Sequence, residues 1–147
     1  MQAELIIREI TYHSTEYDME LKLRDAVLRQ PLGMSIYRDP LAFEKDDFHL
    51  GAFLNERLVG TLILTPVDNN TLRMRQVAVD QNMQRRKIGT QLVRFAEKIA
   101  RQKGYNVMKL HARKSAVSFY SKLGYETVGD EFKEINLPHF VMQKRLR

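Results

Sequence analysis

Between Phe48 and Lys103 the chain changes its hydrophobic period once, and that change restricts the fold more than any other feature. Phe48–Leu54 and Leu58–Thr65 are apolar runs joined by Asn55-Glu56-Arg57, which has the length of a hairpin turn. Asp68-Asn69-Asn70 turns the chain again into Thr71–Val79, so three antiparallel strands in succession are expected. From Met83 to Lys103 the period becomes helical, with Ile88, Leu92, Phe95, Ala96 and Ile99 on one face and Gly104 as the stop. Strands laid down in sequence and then covered by a long amphipathic helix demand a mixed α/β architecture.

The flanks extend that pattern. Glu4–Ile10 is compatible with a strand, and Ser14 or Thr15 can cap a helix, Thr15 and Asp18 having capping-box spacing. Met19, Leu23, Ala26 and Val27 are the expected buried stripe of this helix, which Pro31 and Gly33 end. Leu32–Asp47, with Asp39-Pro40 and the acidic Glu44, Asp46 and Asp47, reads as a loop with a short helix. Tyr105–Ala112 predicts a strand, Ser115–Leu123 a short helix stopped by Gly124, and the rest two strands around Pro138. The element order is βαβββαβαββ, a mixed, mostly antiparallel central sheet flanked by helices, without internal repeats.

At 147 residues the chain has the size of a single domain, expected to span residues 1–147. No apolar stretch approaches the roughly 18 residues of a membrane span, and Met1–Arg8 carries a glutamate where a signal peptide has cations, so a cytoplasmic protein is expected. The absence of cysteine excludes disulfides, thiolate catalysis and cysteine-ligated zinc. His13, His49, His111 and His139 have no metal-ligand spacing, and no metal is expected. The net charge of +6 is divided unevenly: residues 1–70 carry 7 basic and 12 acidic side chains, and residues 71–147 carry 17 and 6. An anionic ligand is expected in the second half.

Gln84-Arg85-Arg86-Lys87-Ile88-Gly89-Thr90 sharpens that expectation, because it sets three consecutive cations at the positive end of a helix dipole, here read as beginning near Gln84. The placement is locally unfavourable. A bound polyphosphate reverses the sign, since free first-turn amides, the dipole and the cations all then act on one anion, and Gly89 lets it approach the backbone. Neither a dinucleotide fingerprint nor Walker A spacing is present, which disfavours nicotinamide enzymes and P-loop kinases.

This segment resembles the Q/R-x-x-G-x-G/A pyrophosphate loop of the GNAT acetyltransferases, with Lys87 at the position of the loop's first glycine and expected in ordinary rather than left-handed geometry. Gln76-Val77-Ala78-Val79-Asp80 resembles the family strand whose backbone pairs with the pantetheine arm. Ala116-x-x-Phe119-Tyr120-x-x-x-Gly124-Tyr125 resembles its A-x-x-F/L-Y-x-x-x-G-F element, with Arg113 where many members have asparagine. Glu134–Met142, with Pro138-His139, looks like the tail of a bacterial GNAT subgroup of unassigned substrate. The resemblance implies a GNAT fold and an N-acetyltransferase that moves an acetyl group from acetyl-CoA to a primary amine by direct attack. It implies cofactor binding by Val77, Ala78, Val79, Gln84, Arg85, Arg86, Lys87, Ile88, Gly89, Thr90, Phe119 and Tyr120.

It further implies that the Val77–Val79 backbone polarises the thioester carbonyl and that Tyr120 is catalytic, donating its phenolic proton to the departing thiolate. Thr71–Val79 holds no glutamate, so the base that relieves the amine of its proton is left among His111, Glu134, His139 and ordered water. Tyr12, Tyr37 and Phe43 suit either an acceptor pocket or packing. The acceptor is a small-molecule amine or a protein N-terminus or lysine, a homodimer is compatible with the sequence, and neither nucleic acid nor membrane is an expected partner. Two alternatives stand beside this reading: a noncatalytic CoA-binding module, and a basic nucleic-acid-binding protein suggested by the charge alone.

Overall fold

A computed structural model describes residues 4–147, with the side chains of Gln84 and Arg85 outside the described part. Seven strands form a mixed sheet: β1 (Leu5–Ile10), β2 (Phe48–Leu54), β3 (Arg57–Pro66), β4 (Thr71–Val79), β5 (Val107–Arg113), β6 (Glu126–Glu134) and β7 (Leu137–Arg145). Their order is β1-β2-β3-β4-β5-β7-β6, with β4 and β5 parallel and β1–β2, β2–β3, β5–β7 and β6–β7 antiparallel. The helices are α1 (Thr15–Arg24), α2 (Ile88–Gln102) and α3 (Val117–Lys122). This is the expected βαβββαβαββ order and fold class. Among the described residues no helix is long and apolar enough to cross a membrane.

The chain divides into two compact units, the first running to Thr65 and resuming over Gln76–Ala96, the second comprising Pro66–Arg75 and Glu97–Arg147. In the first, Asn55 and Glu56 both have positive φ, 48° and 69°, the twist that a two-residue hairpin between β2 and β3 needs. Ser14 caps α1, its hydroxyl accepting from the Tyr17 amide at 3.1 Å. The helix then tightens and loosens rather than stopping cleanly: a π turn over Asp25–Arg29 and a 3₁₀ turn over Gln30–Leu32 precede left-handed Gly33.

The buried face of α1 differs from the expected apolar stripe. Tyr17, Glu20, Leu21 and Arg24 are buried, Met19 and Leu23 pack at the margin of the core, and Ala26 is exposed. The buried charges are matched. Arg24 donates to Glu44 at 2.6 and 2.8 Å and to Glu20 at 2.7 Å, and the Tyr17 hydroxyl donates to Glu44 at 2.8 Å. His49 on β2 completes the group, with Nδ1 3.0 Å from both Glu20 oxygens and Nε2 2.8 Å from the Glu44 carbonyl. The Glu44 segment, read as loop or short helix, is a 3₁₀ helix over Leu41–Asp46 with Glu44 turned inward.

In the second unit Leu72, Met74, Met108, Leu110, Ala112, Tyr125 and Met142 form the apolar interior. Asp68 accepts from the Asn70 and Thr71 amides at 2.8 and 2.9 Å and so shapes the turn into β4. Buried Glu97 accepts from the Tyr125 hydroxyl at 2.8 Å and from Lys144 at 3.0 Å. The last hairpin turns at Ile135-Asn136, both with positive φ, and Pro138 lies inside β7 rather than in the turn.

Candidate functional site

The loop that joins β4 to α2 belongs to the first unit. Gln76 has φ of 56°, a left-handed residue inside β4 that locally shifts the strand's alternation ahead of Val77, Ala78 and Val79. The chain is then fastened to β3: the Asp80 amide donates to the Val59 carbonyl at 2.8 Å, and Arg57 donates to the Asp80 carboxylate at 2.8 Å. Asp80 also accepts from the Asn82 amide at 2.9 Å and starts a 3₁₀ helix over Gln81–Arg86.

Two details of the sequence reading are corrected here. The helix begins at Ile88, not near Gln84, so the consecutive cations precede it: Gln84, Arg85 and Arg86 sit in the 3₁₀ turn and Lys87 at the break. Lys87 is left-handed, with φ 57° and ψ 30°, and not in the ordinary geometry expected of a residue bearing a side chain. It holds the shape for which glycine is the usual residue, at a cost of roughly 1–2 kcal/mol. The physical reason lies in the connection, which must reverse between a 3₁₀ turn anchored at Asp80 and a helix packed on β3.

That packing is close. A Cβ on Gly60 would stand 2.8 Å from Leu92 Cδ1 and 3.0 Å from Ile88 Cγ2, so a side chain there would lift the first turn of α2. The Gln91 amide donates to the Lys87 carbonyl at 3.1 Å in the first turn of α2, the turn that carries the amides of Ile88, Gly89 and Thr90. Arg86 and Lys87 are exposed, and Ile88 is buried. First-turn amides, two exposed cations and a glycine-like reversal fit a diphosphate group.

Phe119 and Tyr120 belong to the second unit. Tyr120 is buried on α3, its ring 5.0 Å from Phe119 and 5.8 Å from Tyr125, both edge-on. Burial pushes its phenol up to about 12. Two other buried tyrosines, Tyr17 and Tyr125, give their hydroxyls to the carboxylates of Glu44 and Glu97, whereas burial is what raises the Tyr120 phenol.

In the same unit β4 and β5 pair from Thr71↔Val107 to Met74↔Leu110. β5 continues through His111, Ala112 and Arg113, which pair with β7. His111 and Glu134, two of the residues among which the base was left open, come together with Nδ1 to Oε1 at 3.0 Å, and the third, His139, lies 3.6 Å from the other Glu134 oxygen. Arg73 joins them, its Nη2 2.9 Å from His111 Nδ1. Sequence reasoning missed Arg73 because nothing local marks it; only strand register puts it beside His111. Of the three aromatics with two readings, Tyr12 packs against Tyr17 at 4.7 Å, while Tyr37 and Phe43 are exposed.

Glu20, Glu44 and His49 bring candidate ligand atoms within 4.8 Å of one another. The cation they face is the Arg24 guanidinium, which already bonds to both carboxylates.

Comparison with known proteins places these features in a wider group. Residues 11–125 match the family described as Acetyltransferase (GNAT). The uncharacterized N-acetyltransferase YitI of Bacillus subtilis strain 168 is 26% identical over 146 residues, which cover 95% of this chain and 97% of that protein. An aminoglycoside 6'-N-acetyltransferase complexed with coenzyme A superposes with a TM-score of 0.82 at 18% identity, covering 97% of each chain. A family acetyltransferase from Elizabethkingia anophelis, with acetyl-CoA bound, superposes with a TM-score of 0.71 at 17% identity, covering 96% of this chain and 97% of that one. At such identities the superpositions establish the fold.

Proposed function

Because the chain belongs to the Acetyltransferase (GNAT) family and is an acyltransferase, we propose that it transfers the acetyl group of acetyl-CoA to a primary amine, which attacks the thioester directly. The coenzyme supplies an acetyl group activated as a thioester. The amides of Ile88, Gly89 and Thr90 hold its pyrophosphate, with Arg85, Arg86 and Lys87 supplying positive charge and Gln84 flanking them. The Val77–Val79 backbone donates to the thioester carbonyl, where negative charge gathers as the nitrogen bonds. Phe119 packs beside Tyr120 and takes part in cofactor binding. The coenzyme A and acetyl-CoA complexes of the two structural neighbours support the choice of cofactor. The acceptor is an amine on a small molecule or on a protein, and residues 1–147 are read as a single acetyltransferase domain.

One observation carries the mechanism: Tyr120 is a buried tyrosine whose phenol is held protonated by burial, without the carboxylate that Tyr17 and Tyr125 each bond. Burial keeps the phenol protonated across the working pH range, so a proton is available when the carbon–sulfur bond breaks. Tyr120→Phe is expected to lower kcat about 100-fold or more while leaving CoA affinity within about twofold and the thermal midpoint nearly unchanged. The stability expectation follows from the ring, which as phenylalanine keeps its edge-on packing against Phe119 and Tyr125. Turnover is read as CoA release on addition of amines, with calorimetry for binding; full activity in the folded variant refutes the role. Protein that binds acetyl-CoA but releases no CoA with any amine is instead the noncatalytic module.

A further inference from the structure

We propose that Tyr125, Glu97 and Lys144 are positioning residues for Tyr120, holding its phenol at the place from which it gives up its proton. The inference rests on the reading of Tyr120 as proton donor above and goes beyond it by naming what aims that donor. All four residues lie in the second unit.

α3 has six residues, and a helix so short does not hold its own geometry in water. Tyr120 is its fourth residue, so the side chain is only as well placed as the end of the helix. That end is tied down carbonyl by carbonyl. The Tyr120 carbonyl accepts from the Leu123 and Tyr125 amides at 3.0 and 3.1 Å, and the Ser121 carbonyl from the Gly124 amide at 3.0 Å. The Leu123 carbonyl accepts from Lys144 Nζ at 2.8 Å. Lys144 comes from β7, so the turn that closes α3 is fastened to the sheet. Its stem runs close beneath that turn. Gly124 has φ of 96°, and a Cβ there would stand 3.2 Å from Lys144 Cε.

Glu97, from the part of α2 that belongs to this unit, joins the two ties. Its buried carboxylate accepts from Lys144 Nζ at 3.0 and 3.2 Å and from the Tyr125 hydroxyl at 2.8 Å. One group thus fixes both the lysine that holds the helix end and the ring that follows it. The Tyr125 ring stands edge-on to Tyr120, with centroids 5.8 Å apart and planes at 75°. Tyr120 is therefore located twice, through its backbone by way of Lys144 and through its ring by Tyr125, and both constraints end on Glu97. Burial, then the charge and hydrogen bond of Glu97, push the Tyr125 phenol up, so this second tyrosine stays a committed donor to the carboxylate.

Packing alone does not call for these residue types. Burying a carboxylate and an ammonium costs desolvation that apolar side chains of similar volume avoid. Directional bonds fix angle as well as distance, and both matter to a proton donor: a misplacement of about 1 Å can cost on the order of 100-fold in rate.

The test is a double-mutant cycle on the whole protein. CoA release from acetyl-CoA is followed with spermidine, kanamycin and a lysine-containing peptide, and the best of the three amines is used throughout. Tyr125→Phe keeps the ring and Lys144→Met keeps the stem, and each is introduced into the wild type and into Tyr120→Phe. In the wild-type background each is expected to lower kcat about tenfold, with KM for the amine and calorimetric CoA affinity within about twofold. In the Tyr120→Phe background each is expected to change kcat less than twofold, because the group they aim is gone. A merely structural contact would lose the same factor in both backgrounds. Circular dichroism and the thermal midpoint establish folding, and Tyr125→Phe, which leaves no cavity, carries the test if Lys144→Met does not fold. Full activity of either folded variant, or equal losses in the two backgrounds, overturns the positioning role and leaves Tyr120 as donor. Full activity of Tyr120→Phe, or a wild type inactive with all three amines, overturns the reading on which this inference rests and the inference with it.

Discussion

Lys87 holds a side chain at φ 57°, in a position where its neighbours on both sides are already committed. The Asp80 anchor fixes the 3₁₀ turn before it, and the Gly60 contact fixes the helix after it. A left-handed conformation costs a residue with a Cβ roughly 1–2 kcal/mol, and glycine almost nothing. Lys87→Gly is therefore expected to stabilise the protein by about 1 kcal/mol relative to Lys87→Ala, because both lose the charge and one keeps the Cβ. Urea denaturation of the two variants measures the difference; equal midpoints would mean that the loop relaxes around the strain. The position was legible as the place of a glycine, but its geometry was not. Local propensity favours right-handed lysine, and the constraint comes from β3, far away in sequence.

On α1 the capping residue and the helix start were readable from Ser14 and Thr15, yet its buried face was misassigned. Glu20 and Arg24 look like an ordinary exposed i,i+4 pair, and only Glu44 and His49, brought in by a 3₁₀ helix and by β2, make their burial tolerable. His49 ties these elements together. Both its nitrogens face acceptors, so the ring is held as an imidazolium, and the buried group balances two carboxylates with two cations. Burial pulls the His49 pKa down, but the hydrogen bond and charge of Glu20 outweigh it and leave it raised. The stabilisation is then complete below the unfolded histidine value of about 6.5 and is lost as pH climbs through the raised folded value. Glu44 acts in the opposite sense: burial raises its pKa, Arg24 more than reverses this, and its contribution fades as pH falls through the depressed value. Wild-type protein is expected to be less stable in urea at pH 9 than at pH 6, and His49→Gln should be destabilised at pH 6 with that alkaline loss diminished. An identical pH profile in the two proteins would show that His49 is neutral throughout.

Over the whole molecule, the order of elements along the chain was the most legible property, since short turns mark the successive strands and the period change at α2 is unambiguous, whereas the place of β7 between β5 and β6 was not read. The division into two units was not legible, because β4 and α2 each run through both. Charge division was legible, but its meaning depends on distance. Residues 71–147 hold 17 basic and 6 acidic side chains, and a field of that sign attracts any polyanion. Screening at physiological salt confines such attraction to about 8 Å, so cations at the phosphate should count for far more than the same number elsewhere. The comparison is direct: Arg85, Arg86 and Lys87 replaced together by Gln, against exposed Lys98, Lys122 and Lys133 replaced together by Gln. Both proteins lose the same net charge. The first is expected to bind CoA at least tenfold more weakly at low salt and with a shallower dependence of log Kd on log salt, the second to stay within about threefold of wild type. Calorimetric titrations from 20 to 300 mM NaCl read both quantities. Equal losses in the two triple variants would assign CoA attraction to the overall field and remove the loop cations from the cofactor site.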